Sequence, residues 1–591
     1  MGLRILVRAL VGFLVLTLAI TLQTGGAIAQ AAMNPDSSTS VTIKKVKKKK
    51  KKAARSAGNK QRKKGRKAGS RIRLDDGSRP NIVVVMMDDM RADELQYAPN
   101  VGSLLAARGM TFANSFSPYP LCCPARASFL TGEYTHNHGV LSTEAPWGFG
   151  AFNDSSTIAG DLQRSGYNTA MVGKYLNGYG WMSSRVTGRP SGRYKPAGWT
   201  DWMASLDTNA LELPTLGRGG TYNYLRFRQN INGRIKMSRR PKYSADVIAG
   251  QAVGLVKKYH IQPKPFFLWL TPVNPHVGAP TDPGDPGPYT KSNGIVQQFR
   301  TPFVPPRYRG RFNALISHSP GIPLTGVAEE DISDKPNWMQ VWLPNTPLEN
   351  ANMIEVERQR AASIYAWDVQ FGRIVGQLRK SAEYDNTIFI FTSDNGYYLG
   401  EHRQPQGKIN GHEPSLRVPL VIAGPGVAHG VSYAPATTVD LTTTILALAH
   451  LGPRPGSDGI SLVPDLLGGN RGWDRPVLIE GKMVGMPEDV QVPRGLSSSG
   501  IRTGRYKYIR YSTGEEELYD ELTDPNELES RHLDPAYAEI KDQLIALWQQ
   551  YKACSGAACW APLPTEWQLT PAELQDIDLS AKAQYDLYYN H

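Results

Sequence analysis

Two segments of this 591-residue chain are apolar almost throughout and then stop on acids. Asn81-Ile82-Val83-Val84-Val85-Met86-Met87 runs into Asp88-Asp89, and Thr387-Ile388-Phe389-Ile390-Phe391-Thr392 runs into Ser393-Asp394-Asn395-Gly396. A strand with one wet face alternates polar and apolar residues. A strand without alternation is covered on both faces, as in a parallel sheet layered with helices. Thr169 to Val172 and Phe266 to Leu270 are shorter runs of the same kind. Between the runs the chain carries helical signals. Ser156-Thr157 can cap a helix running towards Gly166, residues 361–380 form a long amphipathic stretch, and Val439 to His450 is closed by Gly452 and Pro453. This alternation predicts an α/β fold with a mostly parallel central sheet covered by helices. The length allows one large core plus a smaller domain.

In open α/β sheets, ligands collect at the carboxyl ends of the strands. Asp88, Asp89, Asp394 and Asn395 form an all-oxygen set suited to a hard dication, Ca²⁺ or alternatively Mg²⁺, because ligand type is better defined than ion size. An isolated Asp pair after a strand is more often a helix cap, and it is the recurrence that favours a metal. The lack of histidine in Asp394-Asn395 argues against a two-zinc phosphatase arrangement. Three further strand ends carry cations or acids: Gly173-Lys174-Tyr175-Leu176-Asn177, Asn274-Pro275-His276, and Gly407-Lys408 ahead of Glu413 and Arg417. Singly, Lys174 and Lys408 read as surface lysines and His276 as a turn histidine. Their shared placement, together with a family resemblance at all three points, makes them candidates.

The stretch Cys122-Cys123-Pro124-Ala125-Arg126-Ala127-Ser128-Phe129-Leu130-Thr131-Gly132 places a thiol just before a helix start whose first turn carries Arg126. Free N–H groups there attract anions and would lower the thiol pKa. The plain alternative is two adjacent buried or disulfide-bonded cysteines. As a whole the stretch resembles the signature of the formylglycine-dependent sulfatases, Cys-x-Pro-Ser/Ala-Arg with Leu-Thr-Gly four residues on. The likeness extends over roughly residues 80–535. It implies an alkaline-phosphatase-like fold with a smaller C-terminal antiparallel-sheet domain, and a Cys122 oxidised to formylglycine by a maturation enzyme. It further implies one calcium ion on Asp88, Asp89, Asp394, Asn395 and the modified Cys122, with catalytic roles for Arg126, Lys174, His276, Lys408 and Asp394.

One position departs from that family. Many members read Gly-Lys-x-His where this chain has Gly173-Lys174-Tyr175-Leu176, followed by Asn177. The Lys-Tyr-Leu-Asn form, with Tyr134-Thr135-His136-Asn137-His138, resembles the subgroup acting on N-acetylglucosamine 6-sulfate and heparan sulfate, and His138 is the residue offered for the missing role. The expected activity is hydrolysis of a sulfate ester of a carbohydrate or aryl alcohol. The rivals are a phosphoester or phosphonate hydrolase of the same superfamily and a catalytically silent polyanion-binding envelope protein. The silent protein would have lost one of Cys122, Arg126, Lys174, Asp394 or Lys408, and all are present.

The formal net charge of +14 is local. Residues 44–67 hold 15 of the 67 Lys and Arg and no acid, which leaves 52 basic against 53 acidic residues elsewhere, a net of −1. Arg4 and Arg8 precede an apolar run from Ala9 to Leu22, and Ala27-Ile28-Ala29 follows. This is the layout of a secretory signal cut after Ala29. The alternative, an uncleaved membrane anchor, is disfavoured because the run is shorter than the roughly 20 apolar residues of a spanning helix. The protein is therefore expected to be secreted or envelope-associated. The expected organisation is signal peptide 1–29, disordered Lys/Arg-rich linker 30–79, catalytic domain 80–490 and smaller C-terminal domain 491–591. The linker could hold an anionic envelope polymer or act as a spacer, and export disfavours nucleic acid as its partner. Val277 to Pro347, rich in Pro and Gly, reads as a wall or lid whose Arg300, Arg307, Arg309 and Arg311 meet a polyanion or lie on a solvated loop. Near the C-terminus, Tyr506 to Tyr511 alternates as a strand does, and Cys554 with Cys559 suggests a local disulfide.

Overall fold

The run Asn81–Met87 is strand β1, with all seven residues buried. The computed structural model describes residues 79–207, 220–482 and 495–589. The expected signal peptide, and the expected linker up to residue 78, lie outside the described residues. Strands β1, β2 (Met110–Phe112), β3 (Asn168–Gly173), β4 (Asp201–Ser205), β5 (Arg228–Ile231), β6 (Arg234–Met237), β7 (Phe266–Thr271), β8 (Thr387–Ser393), β9 (Leu420–Ala423) and β10 (Gly430–Ser432) form one sheet. Their order is β10-β2-β9-β8-β1-β7-β3-β4-β5-β6. The five central strands, β8 to β4, are mutually parallel, and β9 and β5 flank them antiparallel.

The helices around the large sheet include α1 (Cys122–Thr131), α2 (Thr135–His138), α3 (Ile158–Arg164), α4 (Ser244–Tyr259), α5 (Pro347–Lys380) and α6 (Asp440–Leu448), and α7 (Ala538–Tyr551) and α8 (Pro571–Tyr589) follow near the C-terminus. The side chains of β1 divide between two cores. Ile82, Val84 and Met86 pack with Phe129 and Leu130 of α1 and Ile445 of α6. Val83, Val85 and Met87 pack with Ile248 and Leu255 of α4 and Trp367 and Phe371 of α5. Each such buried side chain contributes about 1.5–3 kcal/mol, against roughly 1–2 kcal/mol per residue for ordering the backbone. The strand needs both faces covered, which is why it lacks alternation.

Helix α5 begins 14 residues before the expected stretch 361–380. Its start is a capping box in which Thr346 Oγ1 accepts from Glu349 N at 3.3 Å and Glu349 Oε2 accepts from Thr346 N at 2.9 Å. Charged residues interrupt the apolar period in this half. One of them, Arg360, is buried because Glu94 accepts from it at 2.7 Å. In the irregular segment before α5, Arg307 pairs with Asp246 at 2.9 Å, Arg309 pairs with Asp282 at 3.1 Å, and Arg311 stacks 3.9 Å over Tyr365. Those three arginines are held by the protein itself.

A second sheet contains β11 (Val477–Lys482), β12 (Ser497–Arg502), β13 (Tyr506–Tyr511) and β14 (Glu516–Asp520), all antiparallel. Its first strand precedes the expected boundary at residue 490. Cys554 and Cys559 form a disulfide. The small sheet docks through buried polar contacts, with Lys507 2.8 Å from Glu413 and His412 3.0 Å from Glu517.

A further link joins α2 to β11. His136 Nδ1 lies 2.6 Å from Glu480, and its Nε2 lies 2.7 Å from the Cys554 carbonyl. Burial alone would lower the His136 pKa, but Glu480 and that carbonyl hold it up at about 9. The folded value exceeds the ordinary 6.5, so this contribution is complete below pH 6.5 and lost as pH rises through about 9. The melting temperature should fall across that window in the wild type and much less in Glu480→Gln. An equal fall in both proteins would assign the dependence to another group.

Candidate active site

The carboxyl ends of β7, β1 and β8 are in register. Met87 pairs with Ser393, Asp394 N donates to Met87 O at 3.2 Å, and Asp88 N donates to Asn274 O at 3.1 Å. The two acid pairs and His276 are thereby brought to one edge. Gly173 ends β3 at φ 118°, where an added Cβ would lie 2.2 Å from Thr271 O. Only glycine lets the strand approach that closely, and Lys174 N then donates to Thr271 O at 2.9 Å.

Helix α1 opens on Cys122 itself, after an extended Leu121, so Pro124 is its third residue. Arg126 therefore lies in the second turn and is fully buried. Its Nε and Nη2 both reach Asp394 Oδ2 at 2.7 Å, and its Nη1 donates to Lys174 O at 2.9 Å. Lys174 Nζ meets both oxygens of Asp88, at 2.8 and 2.7 Å. Lys408 Nζ contacts Asp89 Oδ1 and lies 3.1 Å from Cys122 Sγ. Cys122 Sγ is also 3.4 Å from Asp88 Oδ1 and 3.8 Å from Asp89 Oδ1. His276 Nε2 lies 3.5 Å from Asp89 Oδ2, while its Nδ1 is 2.6 Å from Val277 O. Asp89 adopts φ 68°, an uncommon conformation for a residue with a Cβ. It is held there by its N–H on Asp394 Oδ1 at 3.1 Å and by Arg360 on its carbonyl at 2.5 Å.

Burial would raise Asp88, yet Lys174, His276 and Arg126 hold it well below the usual carboxylate range. Asp89 is lowered likewise, with Lys408 the main opposing charge. Burial lifts Asp394 above its ordinary value against the pull of Arg126, and it pushes His276 down to about 4. The expected lowering of the Cys122 pKa does not occur. Burial drives the thiol far above its ordinary value and outweighs Lys174 and Lys408, with Asp88 and Asp394 adding to the rise.

The residues suit a hard dication. Asn395 Nδ2 donates to Asp89 at 2.8 Å, leaving Oδ1 buried without a hydrogen-bond partner among the described residues. Asp88, Asp89, Cys122 and His276 bring potential donor atoms within 4.8 Å of one another. An orphan amide oxygen beside three buried carboxylates is the donor chemistry that Ca²⁺ or Mg²⁺ takes.

His138 is not part of this cluster. Its Nε2 lies 3.0 Å from Ser128 Oγ, which ties α2 to α1, and its Nδ1 accepts from Val140 N at 3.1 Å, so both ring nitrogens are committed. Burial lowers it to about 3. Leu176 is buried in the core. The group next to Lys174 is instead Tyr222, a residue with no signal in the sequence. Lys174 Nζ sits 4.7 Å above its ring, His276 stacks on it at 4.3 Å, and its hydroxyl accepts from Asn177 Nδ2 at 2.7 Å.

The chain was compared with known proteins. A family model described as Sulfatase matches residues 80–451, and one described as N-sulphoglucosamine sulphohydrolase, C-terminal, matches residues 400–553. An arylsulfatase of Volvox carteri is 30% identical over 554 residues, 86% of this chain and 80% of that protein. The N-acetylglucosamine-6-sulfatase of Homo sapiens is 26% identical over 530 residues, 82% of this chain and 86% of that protein. A solved structure in complex with its substrate D-glucosamine-2-N,6-O-disulfate has a TM-score of 0.59 at 22% identity, covering 80% of this chain and 97% of that one. At that identity the likeness speaks for the fold, a large mostly parallel sheet with a small antiparallel one, as in alkaline-phosphatase-like sulfatases. Sequence relatives and fold agree, and the chain belongs to the sulfatase family of sulfate-ester hydrolases.

Proposed function

We propose that this sulfatase is exported, binds one calcium ion, and removes sulfate from a sulfated carbohydrate through a formylglycine made from Cys122 by a maturation enzyme. The observation that carries this is the crowding of Lys408, Asp88 and Asp89 around Cys122 Sγ, at 3.1, 3.4 and 3.8 Å. Asp88, Asp89, Asp394, Asn395 and the modified residue 122 would hold the ion, which, when bound, polarises a sulfate oxygen and favours the ionised nucleophile. Hydrated formylglycine supplies one hydroxyl to attack sulfur and a second that lets the aldehyde re-form as sulfate leaves.

The rest falls to the chain's own groups. Lys174, Lys408 and Arg126 set three positive charges around position 122, offsetting charge that grows on the sulfuryl oxygens. Asp394, raised by burial, accepts the proton of the attacking hydroxyl. The His276 and Lys408 side chains are 15% and 9% exposed, whereas Lys174, Asp88 and Arg126 are at most 2% exposed. The leaving alcohol therefore faces His276 and Lys408, and one of them returns its proton. Tyr222 holds Lys174 and His276 in place, with Asn177 on its hydroxyl.

The Lys174-Tyr175-Leu176-Asn177 pattern and the likeness to an N-acetylglucosamine-6-sulfatase support a carbohydrate substrate. Sulfate release from N-acetylglucosamine 6-sulfate and an aryl sulfate should exceed phosphate release from the matching monoesters by at least about 100-fold in kcat/KM. The opposite ratio would install the phosphohydrolase reading instead. Export is supported by the layout of residues 4–29, and among the described residues no helix is long and apolar enough to cross a membrane. The basic run 44–67 is proposed as a tether to an anionic envelope polymer. Retention on such material should fall log-linearly with salt and drop in a chain starting near Asp75, with aryl sulfate turnover unchanged. Equal retention at low and physiological salt would reduce the run to a spacer.

A further inference from the structure

The far edge of the large sheet is the hairpin β5–β6, and among the described residues no strand pairs with the outer side of β6. All four of its residues, Arg234, Ile235, Lys236 and Met237, are exposed, and the exposed Arg239, Arg240 and Lys242 follow. No carboxylate among the described residues forms an ion pair with any of these five basic side chains. The only described acids between residues 185 and 242 are already engaged: Asp201 accepts from Lys258 at 2.6 Å, and Asp207 accepts from Gly178 N at 2.8 Å. A lysine on an edge strand can serve merely to block edge-to-edge pairing. That purpose covers Lys236 but not the arginines and lysine beyond the strand.

A cavity of about 1010 Å³ adjoins this row, between the hairpin and the amino-terminal half of α4. Lys236, Lys242 and Arg307 line it, and its one acid, Asp246, is neutralised by Arg307 at 2.9 Å. The sheet register relates it to the catalytic cluster. Gly173 pairs with Ala204, Ser205 with Gln229, and Gln229 with Lys236, so Lys236 lies level with Lys174. Three strand spacings separate them, roughly 14 Å, and five separate β6 from β1 and Asp88, roughly 24 Å. Both therefore lie at the carboxyl end of the same sheet, the hairpin too far from Cys122 for a single sugar to touch both.

We propose that the β5–β6 edge and its cavity bind the flanking part of an extended polysulfated carbohydrate chain whose scissile ester lies at the Cys122 cluster. The proposal rests on the sulfatase reading above and adds chain length and polyanionic character to the substrate. Guanidinium forks suit sulfate and carboxylate groups, and a row of like charges with no internal partner is relieved when such a chain lies along it.

The test uses the full chain carrying Lys236→Glu, Arg239→Glu and Arg240→Glu together, and a second protein with Gln at the same three positions. All three side chains are exposed and lie outside the catalytic cluster, and the basic run 44–67 is common to every protein compared. On 4-nitrophenyl sulfate both variants should match the wild type. On a heparin-derived octasaccharide the Glu protein should lose about tenfold in kcat/KM through KM, with the Gln protein between. Unchanged kcat/KM on the octasaccharide would overturn the proposal. If the wild type releases sulfate from neither substrate, the catalytic reading fails separately, and octasaccharide binding by calorimetry decides the surface. Weaker binding by the Glu protein retains it, and equal binding removes it.

Discussion

Cys122→Ala should leave a folded protein without measurable turnover, whereas Cys123→Ala should stay active. Only Cys122 has Pro two residues on and Arg four residues on. Its Sγ is also the one that lies against Lys408, Asp88 and Asp89, while Cys123 Sγ points to the Asn177 carbonyl at 3.9 Å. Removing one buried sulfur costs about 1–3 kcal/mol of stability, which a chain of this size tolerates. Removing the nucleophile returns the reaction to the residual rate of an ordered but inert site, about 10⁶-fold below the wild type or lower. The mass of the tryptic peptide spanning residue 122, from protein made alongside a maturation enzyme, should show an aldehyde at 122 and an unmodified thiol at 123. A fully active enzyme with a plain thiol at 122 would end the formylglycine mechanism. The buried, protonated thiol of the unmodified residue is itself a poor nucleophile, which argues in the same direction.

The second large effect is expected at Asp394. Asp394→Asn keeps the shape but removes the charge that faces Arg126, takes away the proposed base and weakens the proposed cation site. Activity should fall by about 10³–10⁵-fold. Some stability should go too, because Arg126 is fully buried and would keep only part of its compensation. Chelation gives an independent measurement. Wild-type protein stripped with EDTA should lose activity and regain it with Ca²⁺, and its melting temperature should rise with added Ca²⁺ as mass action requires. Asp394→Asn should show a much smaller rise. Full activity after rigorous chelation would remove the cation from the mechanism, and an equal rise in both proteins would remove Asp394 from its ligands.

Some of the site could be read without coordinates because its chemistry is local in sequence. Asp88-Asp89 and Asp394-Asn395 follow unbroken apolar runs, and a run of that kind has only one stable environment, a sheet covered on both sides. The register of parallel neighbours then brings strand ends together, so Met87 against Ser393 carries the two acid pairs to one place. Lys174 and His276 were legible for the same reason, each lying shortly past an apolar run, whereas Lys408 lies in the loop between β8 and β9 and was legible through the family resemblance. The Cys122-to-Gly132 stretch was legible because it is a single contiguous pattern.

Where the determining contacts come from distant segments, the sequence was silent or misleading. A thiol at a helix start suggested a low pKa, but its ionisation is governed by how much water the fold excludes and by Asp88 and Asp394 from other strands. His138 carried the right chemistry and a plausible motif, and its partners Ser128 and Val140 are near in the chain, but only the folded geometry shows that they take both its nitrogens. Tyr222 had no motif at all and stands between Lys174 and His276. The first half of α5 lacked a clean apolar period because burial of Arg360 depends on a carboxylate 266 residues away. By itself the sequence determined the family, the covered parallel sheet and the carboxylates at its strand ends, because periodicity and contiguous motifs are short-range properties. Only the tertiary structure decided protonation, the company of each catalytic lysine and which histidine faces the site, because those follow from burial and from partners that chain order does not bring near.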